Sequence, residues 1–496
     1  MIDLNTYEIW FVVGSQHLYG DEVIAQVNHN AKRIAEFLDK QELIPVKIVY
    51  KPVLTTSESI SACLQAANNK AECIGCIMWM HTFSPSKMWI NGLKNFSKPL
   101  LHLHTQFHPD IPWSEIDMAY MNLHQAAHGD REFSHLLTRM NISRKVVVGH
   151  WQHQEVIRRI GVWTRAAAAW SDSKEMKIAR FGDNMRDVSV TEGDKVAAQM
   201  RFGYLVNGYG LGDLVQSVNA IEDERIAALI EEYDDTYEMQ DKLRGAGEQR
   251  ESLIEAARIE LGIESFLKSN GFKAFTDTFE NLHGLRQLPG IAVQRLMQKG
   301  YGFGAEGDWK TAALVRSMKV MAAGLEGGVS FMEDYTYHLG TGDERVLGAH
   351  MLEICPSITN GSIRCEVHPL GIGGKEDPVR LVFGAAPAHA INASVIDIGQ
   401  RFRMIVNDVE TVESKHATPK LPVASALWKP LPDFTTATAC WLLAGGAHHT
   451  GYSNCLTSEH LEDFAEIAGI ECLIINENTF ESTFKQDLRS NQAYFS

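Results

Sequence analysis

The 496-residue sequence is short of positive charge, of long apolar runs and of cysteine, and each shortage removes a class of function. It carries 46 Lys and Arg against 62 Asp and Glu, a formal net charge of −16, and no Lys/Arg-rich block. Affinity for nucleic acid comes largely from neutralising phosphates, so no nucleic-acid partner is expected. Apolar runs break early at glycine or polar residues, far short of the roughly 18 that span a bilayer, so no membrane partner is expected either. Asp3 and Glu8 precede the first apolar run with no base beside them, which is not the pattern of a signal peptide. Eight cysteines are scattered along the chain, and Cys63, Cys76 and Cys440 in apolar contexts read as buried free thiols. Free thiols fit a reducing compartment, and the cytoplasm is the expected location. There is no internal repeat, no low-complexity tract and no G-x-S-x-G elbow. Gly371-Ile-Gly-Gly-Lys375-Glu376 lacks the Ser or Thr that a P-loop places after its Lys.

What is present is an ordinary folded composition, 45% hydrophobic and 22% charged, on a chain long enough for about three domains. From residue 7, short β-rich runs (9–13, 46–50, 76–80, 100–103, 146–148) alternate with helix-length segments. Ile24, Val27, Ala31, Ile34 and Leu38, for example, line one helical face. Such alternation means right-handed crossovers and a mostly parallel sheet. Ligands in such sheets sit beyond the strands' carboxyl ends, where Gly14-Ser15-Gln16-His17-Leu18-Tyr19-Gly20 falls. A second α/β stretch starts with a strand at 177–181, after the polar patch 171–175, and runs through helices to a strand at 272–276. From Gly327-Gly328 the pattern changes to short strands with glycine turns, which suggests an antiparallel sheet or barrel. The expected fold is thus α/β: two doubly wound, Rossmann-like parallel-sheet domains (1–172 and 173–327) and a mainly antiparallel, barrel-like domain (328–496).

Three segments carry candidate chemistry. Glycine-rich 300–304 leads to Glu306 and to Asp308, a good N-cap for a helix whose apolar face is Leu314, Met318 and Met321. Glu306 then lies at the positive end of a helix dipole, as a site carboxylate or as a plain capping acid. The glycines follow a helix rather than a strand in this reading, so they are no nucleotide fingerprint. In the second segment a hairpin about Thr341-Gly342 makes Glu333 and His350 face each other, as a cation site or as a satisfied cross-strand pair. In the third, Trp441-Leu-Leu-Ala-Gly445-Gly446-Ala447-His448-His449 reads as a buried strand ending in two histidines, of which alternation turns one toward a site. Oxygen and imidazole donors together suit Mn²⁺, Mg²⁺ or Co²⁺. Cys73-Ile-Gly-Cys76 has redox spacing but lies in a strand, and His102, His104 and His108 flank a strand as structural groups or as ligands.

The segments 10–20, 81–92, 180–186, 306–313, 331–338 and 445–450, in this order, closely resemble the L-arabinose isomerase family from about residue 7 to past 450. The resemblance implies an aldose–ketose isomerase of L-arabinose catabolism that interconverts L-arabinose and L-ribulose, and also D-galactose and D-tagatose, through a cis-enediol. It implies one Mn²⁺ per subunit, with Co²⁺ or Mg²⁺ as substitutes, held by Glu306, Glu333, His350 and His449, and Glu306 and Glu333 as the catalytic pair. It further implies a homohexamer with active sites at subunit boundaries. Gln16, Leu18, Gln125 and His128 would reach the sugar from a neighbouring chain, with Phe83, Met185 and Phe279 lining the pocket. Two other classes compete with this reading. A metal-dependent sugar dehydratase or epimerase would differ in its product, and a catalytically dead sugar sensor would have no need of the ligand set.

Overall fold

The computed structural model describes residues 2–414 and 418–495. They divide into two compact units: residues 3–171 with 463–469, and residues 172–462 with 470–495 and Ile2.

The first unit is built on a parallel sheet of β1 (Glu8–Gly14), β2 (Lys47–Tyr50), β3 (Cys73–Met80), β4 (Leu100–His104) and β5 (Lys145–Val148), in the order β2-β1-β3-β4-β5. β3, entirely buried, is the apolar strand that a two-sided helical cover requires. The strand order reverses between β1 and β3, which opens a crevice at their carboxyl ends. There Ser15 and Thr82 share a 2.7 Å hydroxyl hydrogen bond. Cys73 and Cys76 lie buried in β3 as free thiols, and His102 and His104 both bond the buried Asp130, at 2.9 and 2.8 Å.

The second unit opens with another parallel sheet: β6 (Lys177–Phe181), β7 (Leu205–Tyr209), β9 (Phe272–Asp277) and β10 (Gly302–Gly304), ordered β10-β9-β6-β7. The glycine-rich run is therefore not all loop after a helix, because Gly302–Gly304 is a strand. β8 (Glu238–Met239) joins β13 (Arg364–Val367) and β14 (Val379–Val382) in a small separate sheet, so these last two are not part of the barrel.

The barrel uses β11 (Val329–His338), β12 (Arg345–Ala349), β15 (Ala388–Asp397), β16 (Phe402–Val412), β17 (Ser425–Pro430) and β18 (His449–Ser453). Its order is β15-β18-β11-β12-β17-β16, and β16 pairs back onto β15, so six antiparallel strands close on themselves. β19 (Glu471–Ile475) adds to β16 in parallel. Gly348 lets the barrel pack tightly, since a Cβ there would stand 2.0 Å from the buried Trp428 ring. The helix Trp309–Met321 packs between the two sheets, touching β9 and β10 on one side and β11, β15 and β18 on the other. It is buried all round rather than on one face, including Lys310 and Lys319, whose ammonium groups donate to backbone carbonyls.

Two local expectations need correction. Residues 434–444 form a helix, not a strand: Asp433 caps it by accepting from the Thr436 N–H, and Gly445 at φ +80° ends it. The hairpin register also differs. The connection has six residues (339–344) and an irregularity interrupts pairing between Asp334 and Thr336, so Glu333 pairs with Ala349 rather than His350.

Candidate active site

Four of the candidate side chains converge in the second unit, from two different sheets. Glu306 stands in the loop between β10 and the helix N-cap Asp308. Glu333 on β11 pairs directly with His449 at the start of β18, so both project to the same side. His350, the first residue past β12, reaches that side too, and the Phe331 ring stands edge-on to both imidazoles at 5.1 Å. Donor atoms of Glu306, His350 and His449 all lie within 4.8 Å of one another. Glu333 Oε2 is 3.8 Å from His350 Nε2, and Glu306 Oε2 is 3.7 Å from His449 Nε2.

Two further carboxylates orient the imidazoles. His449 Nδ1 donates to Asp308 Oδ2 at 3.2 Å, and His350 Nδ1 donates to Glu353 Oε2. In each ring the Nε2 is thereby turned inward. His449 Nε2 is buried without a hydrogen-bond partner. An orphaned imidazole nitrogen beside a carboxylate is costly unless an electrophile meets it, so these residues fit a divalent cation. Asp308 and Glu353 were not foreseen as partners. Asp308 was legible as a cap, which it is, and its second oxygen takes the other task.

The local electrostatics separate the carboxyl groups. Burial pushes Glu333 up, with the Glu306 and Glu353 charges adding to it against the pull of His350 and His449. Burial alone would raise Asp308, but the Lys310 ammonium and the hydrogen bonds from His449 and Thr311 hold it well below the usual carboxylate range. Burial also opposes charge on His350, yet Glu353 and Glu333 push its pKa up to about 9. Desolvation pushes the buried Asp277 and the half-buried Asp334 up to about 7. His448 precedes β18 and is partly exposed, with Nε2 4.0 Å from Glu306 Oε2. Both adjacent histidines thus reach toward Glu306, and His449 is the one that joins the converging group.

Of the sugar-binding candidates, Met185 and Phe279 lie in this unit. The Met185 N–H donates to the Glu306 carbonyl at 3.0 Å, and Phe279 opens the short turn after β9. Gln16, Leu18, Phe83, Gln125 and His128 belong to the first unit. Leu18 is 82% exposed, the Phe83 and His128 rings meet at a tilt with centroids 4.6 Å apart, and the Gln125 N–H donates to the His81 carbonyl at 3.1 Å. Gln125 and His128 line a cavity of about 570 Å³ with Gln106, His108, Tyr120 and His124.

Comparison with known proteins matches three family models end to end: the L-arabinose isomerase N-terminal domain over residues 3–175, the central domain over 177–324 and the C-terminal domain over 328–471. The chain belongs to the L-arabinose isomerase family. L-arabinose isomerases of Herpetosiphon aurantiacus and Koribacter versatilis are 61% and 59% identical to it over 495 residues, and that of Geobacillus stearothermophilus is 56% identical. Each alignment covers 100% of this chain and 99% of the relative. Family membership makes the chain an aldose–ketose isomerase, which sets aside the dehydratase, epimerase and sensor readings. No helix among the described residues is long and apolar enough to cross a membrane.

Proposed function

We propose that the chain interconverts L-arabinose and L-ribulose, and D-galactose and D-tagatose by the same chemistry, at the Glu306, Glu333, His350 and His449 cluster with one Mn²⁺ per subunit. The observation that carries this reading is the buried, unpartnered Nε2 of His449 facing Glu306. Co²⁺ and Mg²⁺ are substitutes by the same donor chemistry. When bound, the cation would polarise the sugar carbonyl and offset the charge that develops on the sugar oxygens.

Moving the carbonyl from C1 to C2 requires one group to take the C2 proton and return it to C1, and a second to move a proton between the oxygens, by way of a cis-enediol. Glu306 and Glu333 are the pair for these tasks. Burial that raises Glu333 brings it nearer neutrality, where a carboxyl group both takes and returns a proton. His350 and His449 keep their orientation through Glu353 and Asp308 while this happens. Sugar contacts by Gln16, Leu18, Phe83, Gln125, His128, Met185 and Phe279, a hexamer with sites at subunit boundaries, and a cytoplasmic location belong to the same proposal. The exposure of Leu18 and the buried thiols of Cys73, Cys76 and Cys440 support the last two.

The test is ¹H NMR of the protein with L-arabinose in D₂O, with Mn²⁺ and after chelation. Ketose that appears only with Mn²⁺ and carries solvent deuterium is expected. Metal-dependent ketose without deuterium would replace the enediol with a hydride shift, and ketose formed equally after chelation would remove the metal from the proposal. Glu306→Gln and Glu333→Gln are each expected to lower kcat at least about 10³-fold with folding intact. Substantial turnover in either variant would take that residue out of the pair.

A further inference from the structure

The Glu306 backbone lies in the left-handed region at φ +61°, followed by Gly307 at φ +81°. That conformation is uncommon for a residue other than glycine and persists only where its surroundings impose it. Here the surroundings come from one short segment of the loop after β6. The Met185 N–H donates to the Glu306 carbonyl at 3.0 Å. Asn184 Nδ2 donates to the Gly307 carbonyl at 3.3 Å and to the Thr191 carbonyl at 2.7 Å. From the other side the Gly307 N–H donates to the Asp277 carbonyl at 3.0 Å. A Cβ on Gly307 would stand 2.5 Å from the Asn184 Cα, so the two segments are in direct contact.

Asn184 is itself held in place. It is buried, its Oδ1 accepts from Arg180 Nη1 at 2.6 Å, and its N–H donates to Asp183 Oδ1 at 2.9 Å. The Asp183 carbonyl in turn accepts from Thr278 Oγ1. Asn184 supplies no donor atom to the ligand cluster and follows β6, which lies two strands from β10 in the sheet, yet its amide is spent on the loop that carries Glu306.

We infer that Asn184 is a positioning residue that clamps the Glu306-Gly307 turn, and through it sets the direction from which the Glu306 carboxylate enters the cluster. The inference rests on the proposal that Glu306 is a metal ligand. It gives the conformation of Glu306 a cause: the 183–185 segment supplies the hydrogen bonds that a relaxed turn would forgo.

The test uses the full chain with Asn184→Asp and Asn184→Ala. Asn184→Asp keeps the acceptor for Arg180 but turns a charged acceptor toward the Gly307 and Thr191 carbonyls, whereas Asn184→Ala removes the amide without adding charge, so an effect shared by both belongs to the lost donor, and thermal unfolding monitors general loss of structure. Hydrogen–deuterium exchange by mass spectrometry is read over residues 303–309 in the metal-free protein, and Mn²⁺ affinity by electron paramagnetic resonance. Both variants are expected to speed exchange at 303–309 about tenfold or more, with β9 unchanged, and to weaken Mn²⁺ binding about 10-fold. In a Glu306→Gln background the same substitution is expected to add no further loss of affinity. Unchanged exchange at 303–309 in Asn184→Asp would overturn the clamp, as would a loss of Mn²⁺ affinity fully additive with Glu306→Gln. Faster exchange with Mn²⁺ affinity unchanged in both Asn184→Asp and Glu306→Gln would leave the clamp standing and refute Glu306 as a ligand.

Discussion

At the scale of single residues, two carboxylates, Asp308 and Glu353, orient the imidazoles of the candidate site. Asp308→Asn keeps the shape of the side chain and removes the charge that holds the His449 Nδ1 proton. Loss of such a partner costs about 10–100-fold in metal affinity, and titration with Mn²⁺ is expected to show a fall of that size. Equal affinity in wild type and variant would mean that His449 takes its orientation from elsewhere. His449→Ala is expected to weaken Mn²⁺ binding far more than His448→Ala, because His448 is partly exposed and lies outside the converging group. Matching losses would count against that assignment. Glu306 was legible because a helix cap, Asp308, fixes its place in the chain. The Asp308 to His449 contact was not, since it joins residues 141 apart in sequence and exists only once β18 is seated beside the helix. Glu353 was hidden for a similar reason: its role arises from a turn after β12 that no spacing announces.

At the scale of elements, patterns of alternation located the sheets, and local chemistry decided where they failed. Trp441-Leu-Leu-Ala444 is a short apolar run that reads as a buried strand, but Asp433 three residues before Thr436 is an N-cap signal and Gly445 a helix terminator. The hairpin and its pairs nearest the turn, Thr336 to His338, were legible, but one irregularity moves the partners of Glu333 and Asp334 by a residue. The barrel's tolerance at Gly348 follows from the same close packing. Gly348→Ala must displace the Trp428 ring and is expected to cost about 1–3 kcal/mol. Urea unfolding checks this, and an unchanged midpoint would show that Trp428 moves freely.

At the scale of the whole molecule, buried histidines link stability to protons. Burial holds the His81 imidazole, stacked on Trp79, down at about 3, and burial with His108 nearby holds His124 at about 4. Both folded-state values lie below the ordinary histidine value. As pH falls under about 6.5, the unfolded chain gains protons that the folded chain refuses, and stability is lost. Above that pH these two groups add no dependence. His81 alone accounts for about 1.4 kcal/mol per pH unit in this window, and His81→Gln is expected to flatten the slope in urea titrations between pH 6.5 and 4.5. An identical slope in the variant would place the acid sensitivity elsewhere. Metal acts in the opposite direction: Mn²⁺ at 100 times its Kd is expected to add about 2.7 kcal/mol over the chelated protein, read as a higher Tm.

The first unit is discontinuous, and this matters for the order in which the chain is made. Its sheet and helices come from residues 3–171, but Asp463, Phe464 and Glu466, which bond Lys145, pack on Trp170 and bond Ser143, come from the short segment 463–469. During synthesis the early residues leave the ribosome with that edge bare and wait until the barrel has emerged. At about 5–20 residues per second the wait runs from roughly 15 s to a minute. Through that interval β5, the edge strand of its sheet, is without the Asp463 partner of its Lys145. A nascent chain stalled before residue 463 is therefore the species on which a chaperone has most to do.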